Sequence, residues 1–97
     1  MYTIVIHKKA KKEIDKIPDT YARKIVETIY KLAENPRPSG CKKLSGSDEY
    51  YRVRVADYRI IYFIEDEILY IEVIKIGHRK EIHRKRWFSF KFLDNLR

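Results

Sequence analysis

Three arginines stand close together in the stretch RVRVADYRIIYF, residues 52–63, whose alternating apolar residues are typical of two β-strands joined by a tight turn. A turn at the Ala-Asp dipeptide places Arg54 directly opposite Arg59 and puts Arg52 on the same face of the sheet. Like charges in this position destabilise a sheet. The cluster therefore suggests phosphate chemistry, because guanidinium groups bind phosphate oxygens through paired hydrogen bonds.

Phosphate chemistry also needs groups that move protons, and arginine does this poorly. The segment GHRKEIHR, residues 77–84, contains His78 and His83, and an imidazole is the natural acid or base. Gly77 permits a bulge or turn that brings Arg79 and His83 near the arginines. RNA carries its own nucleophile, the 2′-hydroxyl, so metal-independent cleavage requires mainly orientation and charge neutralisation. A basic face that binds a nucleic-acid backbone without chemistry is the open alternative.

The composition is that of a basic globular chain. Its 97 residues include 22 Lys and Arg against 14 Asp and Glu, for a formal net charge of +8, and 44% are hydrophobic. This charge favours a polyanionic partner such as nucleic acid, the ribosome or an acidic protein, although a solvated basic surface gives the same count. The single Cys41 excludes an internal disulfide and suits a reducing cytoplasm. We expect one domain over residues 1–97, with no metal, cofactor or membrane-spanning segment.

Apolar spacing predicts the elements that position the arginines. The pattern indicates an α+β domain in which an N-terminal strand and a two-helix hairpin precede an antiparallel meander of three strands. The helices cover one face of the sheet, and the arginines lie on the other, partly open face. The expected bounds are 2–6 for the first strand and 8–17 for the first helix. The second helix is expected to have its cap at Asp19 or Thr20 and to stop at Asn35-Pro36. A loop over 36–48 follows, and then strands over 49–55, 58–65 and 68–76, with an interruption of the last strand at Gly77.

The end of the chain is strongly apolar between its charges. From Trp87 to Leu96 the spacing does not distinguish a helix, an extended arm, or both in turn, so residues 85–97 are expected to form a short C-terminal helix or arm that can be mobile. Large apolar side chains at a chain end predict that the segment docks on or near the sheet, where a protein partner would compete for the same surface.

The segment KKLSGSDEYYRVRVADYRIIYFIEDEILYIEVIKIGHRKEIHR, residues 42–84, resembles the RelE branch of the RelE/ParE toxin superfamily. The basic strand, the DYRIIY strand and the closing GHR stand in the family's order, and the helical hairpin also fits. The resemblance implies a small cytoplasmic toxin that enters the ribosomal A site and cleaves mRNA without a metal or cofactor. It also implies a cognate antitoxin as partner, and possible joint action of the pair on operator DNA.

The resemblance further implies roles for individual residues. Arg52, Arg54, Arg59 and Arg79 stand at positions that hold the scissile phosphate and assist proton transfer in related toxins. His83 stands where relatives often carry a tyrosine, and it is a candidate general acid. The expected contacts to ribosomal RNA are Lys42, Lys43, Lys80, Arg84, Lys85 and Arg86.

Two other functions fit the same scaffold. A ParE-like toxin inhibits gyrase by binding it, and four arginines argue against this because a binding inhibitor does not need a phosphate cradle. A non-catalytic nucleic-acid-binding or co-repressor module is the third alternative. Mapping mRNA ends on programmed ribosomes distinguishes the first function from the other two.

Overall fold

The computed structural model describes residues 1–44, 46 and 49–79, and within them the predicted α+β architecture is confirmed. The described sheet has five strands in the order β1-β5-β4-β3-β2. Residues 80–97 lie outside the described residues, and so do the expectations made for the C-terminal segment. The elements in chain order are β1 (Thr3–Ile6), α1 (Lys8–Asp15), α2 (Asp19–Leu32), β2 (Lys42–Lys43), β3 (Tyr50–Val55), β4 (Tyr58–Glu65) and β5 (Tyr70–His78).

The β3–β4 hairpin has the predicted register. Arg54 lies opposite Arg59, Val53 opposite Ile60, and the two-residue turn begins at Ala56. Ala56 has a φ of 53°, which is the left-handed conformation that tight hairpin turns require. Because side chains alternate across a strand, this register sends the valines to one face of the sheet and the arginines to the other.

The helices cover the valine side, which we call the helix face. Residues at helical spacing on α1 and α2, among them Ala10, Ile25 and Ile29, are completely buried against it. Glu13 of α1 accepts a hydrogen bond from the backbone N–H of Ile76 (2.9 Å) and forms an ion pair with Lys75. The strand residues that pack under the helices are Val53, Val55, Ile60, Tyr62, Ile64, Ile71, Val73 and Ile76.

Several element bounds differ from the predictions. Helix α1 ends at Asp15 and not at residue 17, α2 ends at Leu32 before the expected stop at Asn35-Pro36, and the two-residue strand β2 lies within the predicted loop over 36–48. The N-cap of α2 is Pro18, not Asp19 or Thr20, because the Pro18 carbonyl already accepts hydrogen bonds from Tyr21 (3.0 Å) and Ala22 (2.9 Å). Asp19 instead occupies the first turn, where a carboxylate suits the helix dipole. The strand expected at 68–76 begins later, since a 3-10 turn occupies Asp66–Ile68.

The bulge in β5 also lies elsewhere than predicted. Ile61 pairs with Lys75 and Tyr62 pairs with Val73, so Ile74 is the extra residue. Gly77 continues the strand and does not interrupt it. The bulge turns the Ile74 side chain toward the face opposite the helices, where it joins a second buried cluster. This cluster also contains Leu44, Tyr50, Ile61 and Phe63.

The face opposite the helices, which we call the arginine face, is therefore divided. One end carries the apolar cluster, and the other end carries the charges contributed by β3 and β4. The face predicted to be partly open is thus open at its charged end and covered by apolar side chains at the other. The apolar half anchors the strands, and it leaves the charged half as the region free to bind a ligand.

Candidate phosphate-binding site

The structure brings four of the predicted site residues together in one groove. The groove has a volume of about 230 Å³, and its described lining contains cations and a glycine but no carboxylate. A groove with this lining attracts an anion strongly. We call it the arginine groove; it is lined by Gly40, Lys42, Arg52, Arg54 and Arg59.

Arg59 is the most unusual of these side chains. Its Nη1 is the only buried side-chain nitrogen or oxygen without a hydrogen-bond partner in the part of the chain that the structure describes. Burial lowers the pKa of Arg59, and the positive charges of Arg54, Arg52 and Arg79 lower it further. A buried donor without a partner is costly. An anion bound in the groove would satisfy this donor and offset the repulsion between the arginines.

Arg54 is held from the turn beside it. Its Nε donates a hydrogen bond to the carbonyl of Ala56 at 2.9 Å. This bond engages the inner nitrogen of the guanidinium and does not involve its two terminal nitrogens. The left-handed backbone at Ala56 thereby serves the site as well as the hairpin, since it aims the carbonyl that orients Arg54.

Arg79 reaches the same region from the end of β5. Its backbone N–H donates to the carbonyl of Asp57 at 2.7 Å, and its Nε lies 3.9 Å from the Asp57 carboxylate. About half of the Arg79 side chain is exposed. At 3.9 Å the contact between the side chains is longer than a hydrogen bond, and the positive charge of Arg79 acts on Arg59.

The two predicted lysines lie on opposite faces of the sheet. Lys42 pairs with Arg52 in the β2–β3 ladder, and Lys43 pairs with Tyr51. Directly opposed residues share a face, so Lys42 joins the arginines and Lys43 does not. The sequence had placed both in a loop, where their orientations were not defined.

His78, the other histidine considered for proton transfer, lies on the helix face and not on the arginine face. It pairs with Tyr58, whose ring it meets edge-on at 5.7 Å, and it lines a separate groove of about 540 Å³ beside α1. In the β4–β5 ladder, the residue that pairs with Arg59 is Gly77. His83 is then the remaining histidine candidate; it lies outside the described residues, as do Lys80, Arg84, Lys85 and Arg86.

A comparison with known families identifies the chain. A model described as the ParE toxin of type II toxin-antitoxin system, parDE, matches residues 4–83. The chain belongs to this toxin family. It is 34% identical over 88 residues to a putative toxin RelE1 from Methanocaldococcus jannaschii, a match that covers 86% of this chain and 96% of the relative.

Solved RelE structures share the fold of this toxin. The archaeal RelE–RelB complex from Pyrococcus horikoshii OT3 superposes with a TM-score of 0.73 at 30% identity, covering 80% of this chain and 94% of that one. The intact E. coli RelBE toxin-antitoxin complex gives a TM-score of 0.70 at 26% identity, with 80% and 96% covered. The chain is therefore a RelE-like toxin of a type II toxin–antitoxin system.

Among the described residues, a hydrogen-bonded cluster around a single arginine was not predicted from the sequence. Arg37, in the loop after α2, donates from Nη1 and Nη2 to the two Asp66 carboxylate oxygens at 3.2 and 2.8 Å, and from Nε to the Tyr51 hydroxyl at 3.0 Å. Tyr2 donates to the same carboxylate at 2.6 Å. We call these four residues the Arg37 clasp. Its members are far apart in sequence, and no local pattern signals it.

The clasp is electrostatically satisfied. Hydrogen bonds from Arg37 hold the pKa of Asp66 below its usual range, and the hydrogen bond to Asp66 raises the pKa of Arg37. Tyr51 is buried beneath the Arg37 guanidinium, with 5.1 Å between its ring centroid and the Arg37 Cζ. Tyr50, its neighbour in β3, is buried against Phe63, so neither tyrosine is available to stack on a base.

Within residues 1–44, 46 and 49–79, no group of three or more His, Cys, Asp or Glu side chains is placed to hold a metal ion. None of the helices described there is long and apolar enough to cross a membrane.

Proposed function

We propose that this toxin is a ribosome-dependent, metal-independent endoribonuclease that cleaves mRNA in the A site and thereby inhibits translation. The observation that supports it is the unpartnered, buried Nη1 of Arg59 in a groove whose described lining is otherwise cationic. Such a donor is a cost to the free protein. A phosphodiester removes that cost, since its oxygens accept hydrogen bonds and carry the opposite charge.

The proposed reaction is an intramolecular transesterification. The 2′-oxygen of the nucleotide attacks the adjacent phosphorus and loses its proton to a base, and the bond from phosphorus to the 5′-oxygen breaks. The products are a 2′,3′-cyclic phosphate and a 5′-hydroxyl, whose proton comes from a general acid. His83 is the candidate for this acid, and the ribosome supplies the orientation of the codon.

The arginines favour the transition state over the substrate. A phosphodiester carries one negative charge, and the pentavalent phosphorane carries about one more, so a cluster of cations gains most when that charge develops. Arg54 and Arg59 face each other across the strands and can each engage one non-bridging oxygen. Arg52 and Arg79 add charge from the flanks, and Lys42 extends the contact along the RNA backbone.

A cognate antitoxin is the proposed protein partner. RelE structures similar to this chain are complexes with RelB. We propose that a small acidic protein encoded nearby neutralises this toxin in the cytoplasm, and that the pair acts jointly on operator DNA. Co-expression with such a neighbouring gene and recovery of a stable complex tests the first statement, and growth arrest despite co-expression contradicts it.

The deciding experiment incubates the toxin with programmed ribosomes and maps the mRNA ends. We expect new 5′ ends within the A-site codon, and none with mRNA alone or with the Arg59→Leu variant. The match to the ParE family model favours gyrase inhibition as the second candidate function. Intact mRNA together with inhibited gyrase supports that function and contradicts ours, and intact mRNA with active gyrase leaves a binding or co-repressor role.

A further inference from the structure

The wall of the arginine groove nearest the sheet edge is held by very little local structure. Strand β2 has only two residues, Lys42 and Lys43, and it pairs with β3 at the edge of the described sheet. A shift of one residue in strand register moves every side chain to the opposite face. Such a shift would remove Lys42 from the groove and put Lys43 in its place.

The loop that leads into β2 is fixed at its start by the Arg37 clasp. The carbonyl of Pro36 accepts a hydrogen bond from the buried Tyr62 hydroxyl at 2.7 Å, and Arg37 binds Tyr51 and Asp66. Tyr51 is also the residue that pairs with Lys43. The clasp therefore binds β3 on its helix face, and Arg52 lies on the other face of the same strand.

The connection between the clasp and β2 has a defined geometry. The N–H of Cys41 donates to the carbonyl of Pro38 at 3.0 Å, which closes a four-residue turn. Gly40 stands at the third position of this turn with a φ of 91°, as a type II turn requires. A slip of one residue needs about 3.3 Å of additional chain, and a clasp followed directly by a closed turn does not supply it.

We propose that the Arg37 clasp is a register lock for β2, which keeps Lys42 on the arginine face as a ligand for an RNA phosphate. Arg37 is thus a positioning residue, since it acts on RNA through Lys42 from the other side of the sheet. The RNA part of this inference rests on the proposed function, whereas the lock itself is a property of the free toxin.

Amide hydrogen exchange tests the lock independently of RNA. The Leu44 N–H donates to the Tyr50 carbonyl at 2.9 Å and closes the β2–β3 ladder. In the Arg37→Leu variant we expect exchange at Leu44 to accelerate by about tenfold relative to exchange at Ile61 in β4, because the core amide of Ile61 follows only the change in global stability. Unchanged exchange at Leu44 overturns the lock, whether or not the toxin cleaves RNA.

Binding of a trinucleotide RNA with 2′-O-methyl riboses, which cannot be cleaved, tests the coupling to Lys42. We expect Arg37→Leu and Lys42→Met each to weaken binding by about tenfold, and the double variant to be no weaker than Lys42→Met alone. Lys11→Met removes the same charge from the exposed surface of α1, on the other side of the sheet, and it is the matched control. If the losses of RNA affinity multiply in the double variant, the inference is contradicted. If Leu44 exchange accelerates but mRNA on ribosomes stays intact, only the proposed function is contradicted.

Discussion

Arg37 and Arg59 are the same residue type in opposite circumstances, separated by the thickness of one sheet. Arg37 lies on the helix face and makes hydrogen bonds with Asp66 and Tyr51, which raise its pKa. Arg59 lies on the arginine face with a buried nitrogen that has no partner among the described residues, and its pKa is lowered. The Arg37 guanidinium is satisfied by contacts within the fold, whereas Arg59 has a donor that an anionic ligand can satisfy.

This difference separates residues that stabilise the protein from residues that the protein tolerates for function. Removal of a satisfied arginine should lower stability, because it leaves partners behind. Removal of an unsatisfied one should not, because it relieves repulsion between like charges. The two arginines can therefore be distinguished by the sign of the stability change, measured on the same purified protein as the activity.

The largest expected effect is the loss of cleavage in Arg59→Leu. We expect single-turnover cleavage on programmed ribosomes to fall by about 10³- to 10⁵-fold, since the phosphate loses a charge-assisted ligand in its transition state. The melting temperature should stay the same or rise, with about 0.2–1 kcal/mol of added stability. Arg23→Leu on the exposed side of α2 is the matched control for loss of one charge, and it should retain cleavage. A melting temperature several degrees lower in Arg59→Leu would show a structural arginine.

The next effect concerns the proton donor. If His83 protonates the leaving 5′-oxygen, His83→Gln should slow single-turnover cleavage by about 10²- to 10⁴-fold and flatten the pH–rate profile around neutrality. His78→Gln is the control, because His78 faces α1 on the other side of the sheet. A loss of less than tenfold in His83→Gln, with the pH profile retained, means that His83 stacks or orients and does not donate the proton.

The smallest effect is on stability and belongs to Arg37. Arg37→Leu should destabilise the toxin by roughly 1 kcal/mol, mainly through the hydrogen bond to buried Tyr51, since an exposed ion pair contributes little. The folded pKa of Asp66 is depressed below its ordinary 3.8. Its part of the stabilisation is hence present above that pH and is lost as the pH falls through the folded pKa.

The melting-temperature gap between wild type and Arg37→Leu should accordingly be constant near neutrality and narrow in acid. Asp66→Asn keeps the hydrogen bond from Arg37 to Tyr51, so it should cost less than Arg37→Leu at pH 7. If Arg37→Leu were as stable as Arg59→Leu, the contrast between the two arginines would disappear.

The sequence predicted the centre of the site better than its edge. The register of Arg54 with Arg59 follows from a two-residue turn and from the alternation of arginine and valine over residues 52–55, and both signals are local. The position of Lys42 depends on a two-residue strand inside a Pro- and Gly-rich loop, and its orientation comes from a pairing with β3 that no local pattern encodes.

The position of the β5 bulge and the Arg37 clasp were also not predicted from the sequence, because both depend on long-range packing. Gly77 suggested an interruption because glycine is frequent at bulges, yet the bulge falls at Ile74, whose side chain fills the second apolar cluster. The Arg37 clasp escaped notice because Arg37 and Asp66 are each ordinary loop residues when read alone. The structure joins them across 29 positions of sequence.

The parallel pairing of β1 with β5 has a consequence for how the toxin becomes active during folding. Thr3 lies beside Tyr70, so closing this pair orders nearly the whole described chain, and contacts of such long range slow folding. The β3–β4 hairpin needs only a tight turn and can form early. Arg79, however, reaches the site through the end of β5. We therefore expect a newly made chain to form the arginine hairpin before the complete site, and under the proposed function a partner that binds within this period would meet a protein without cleavage activity.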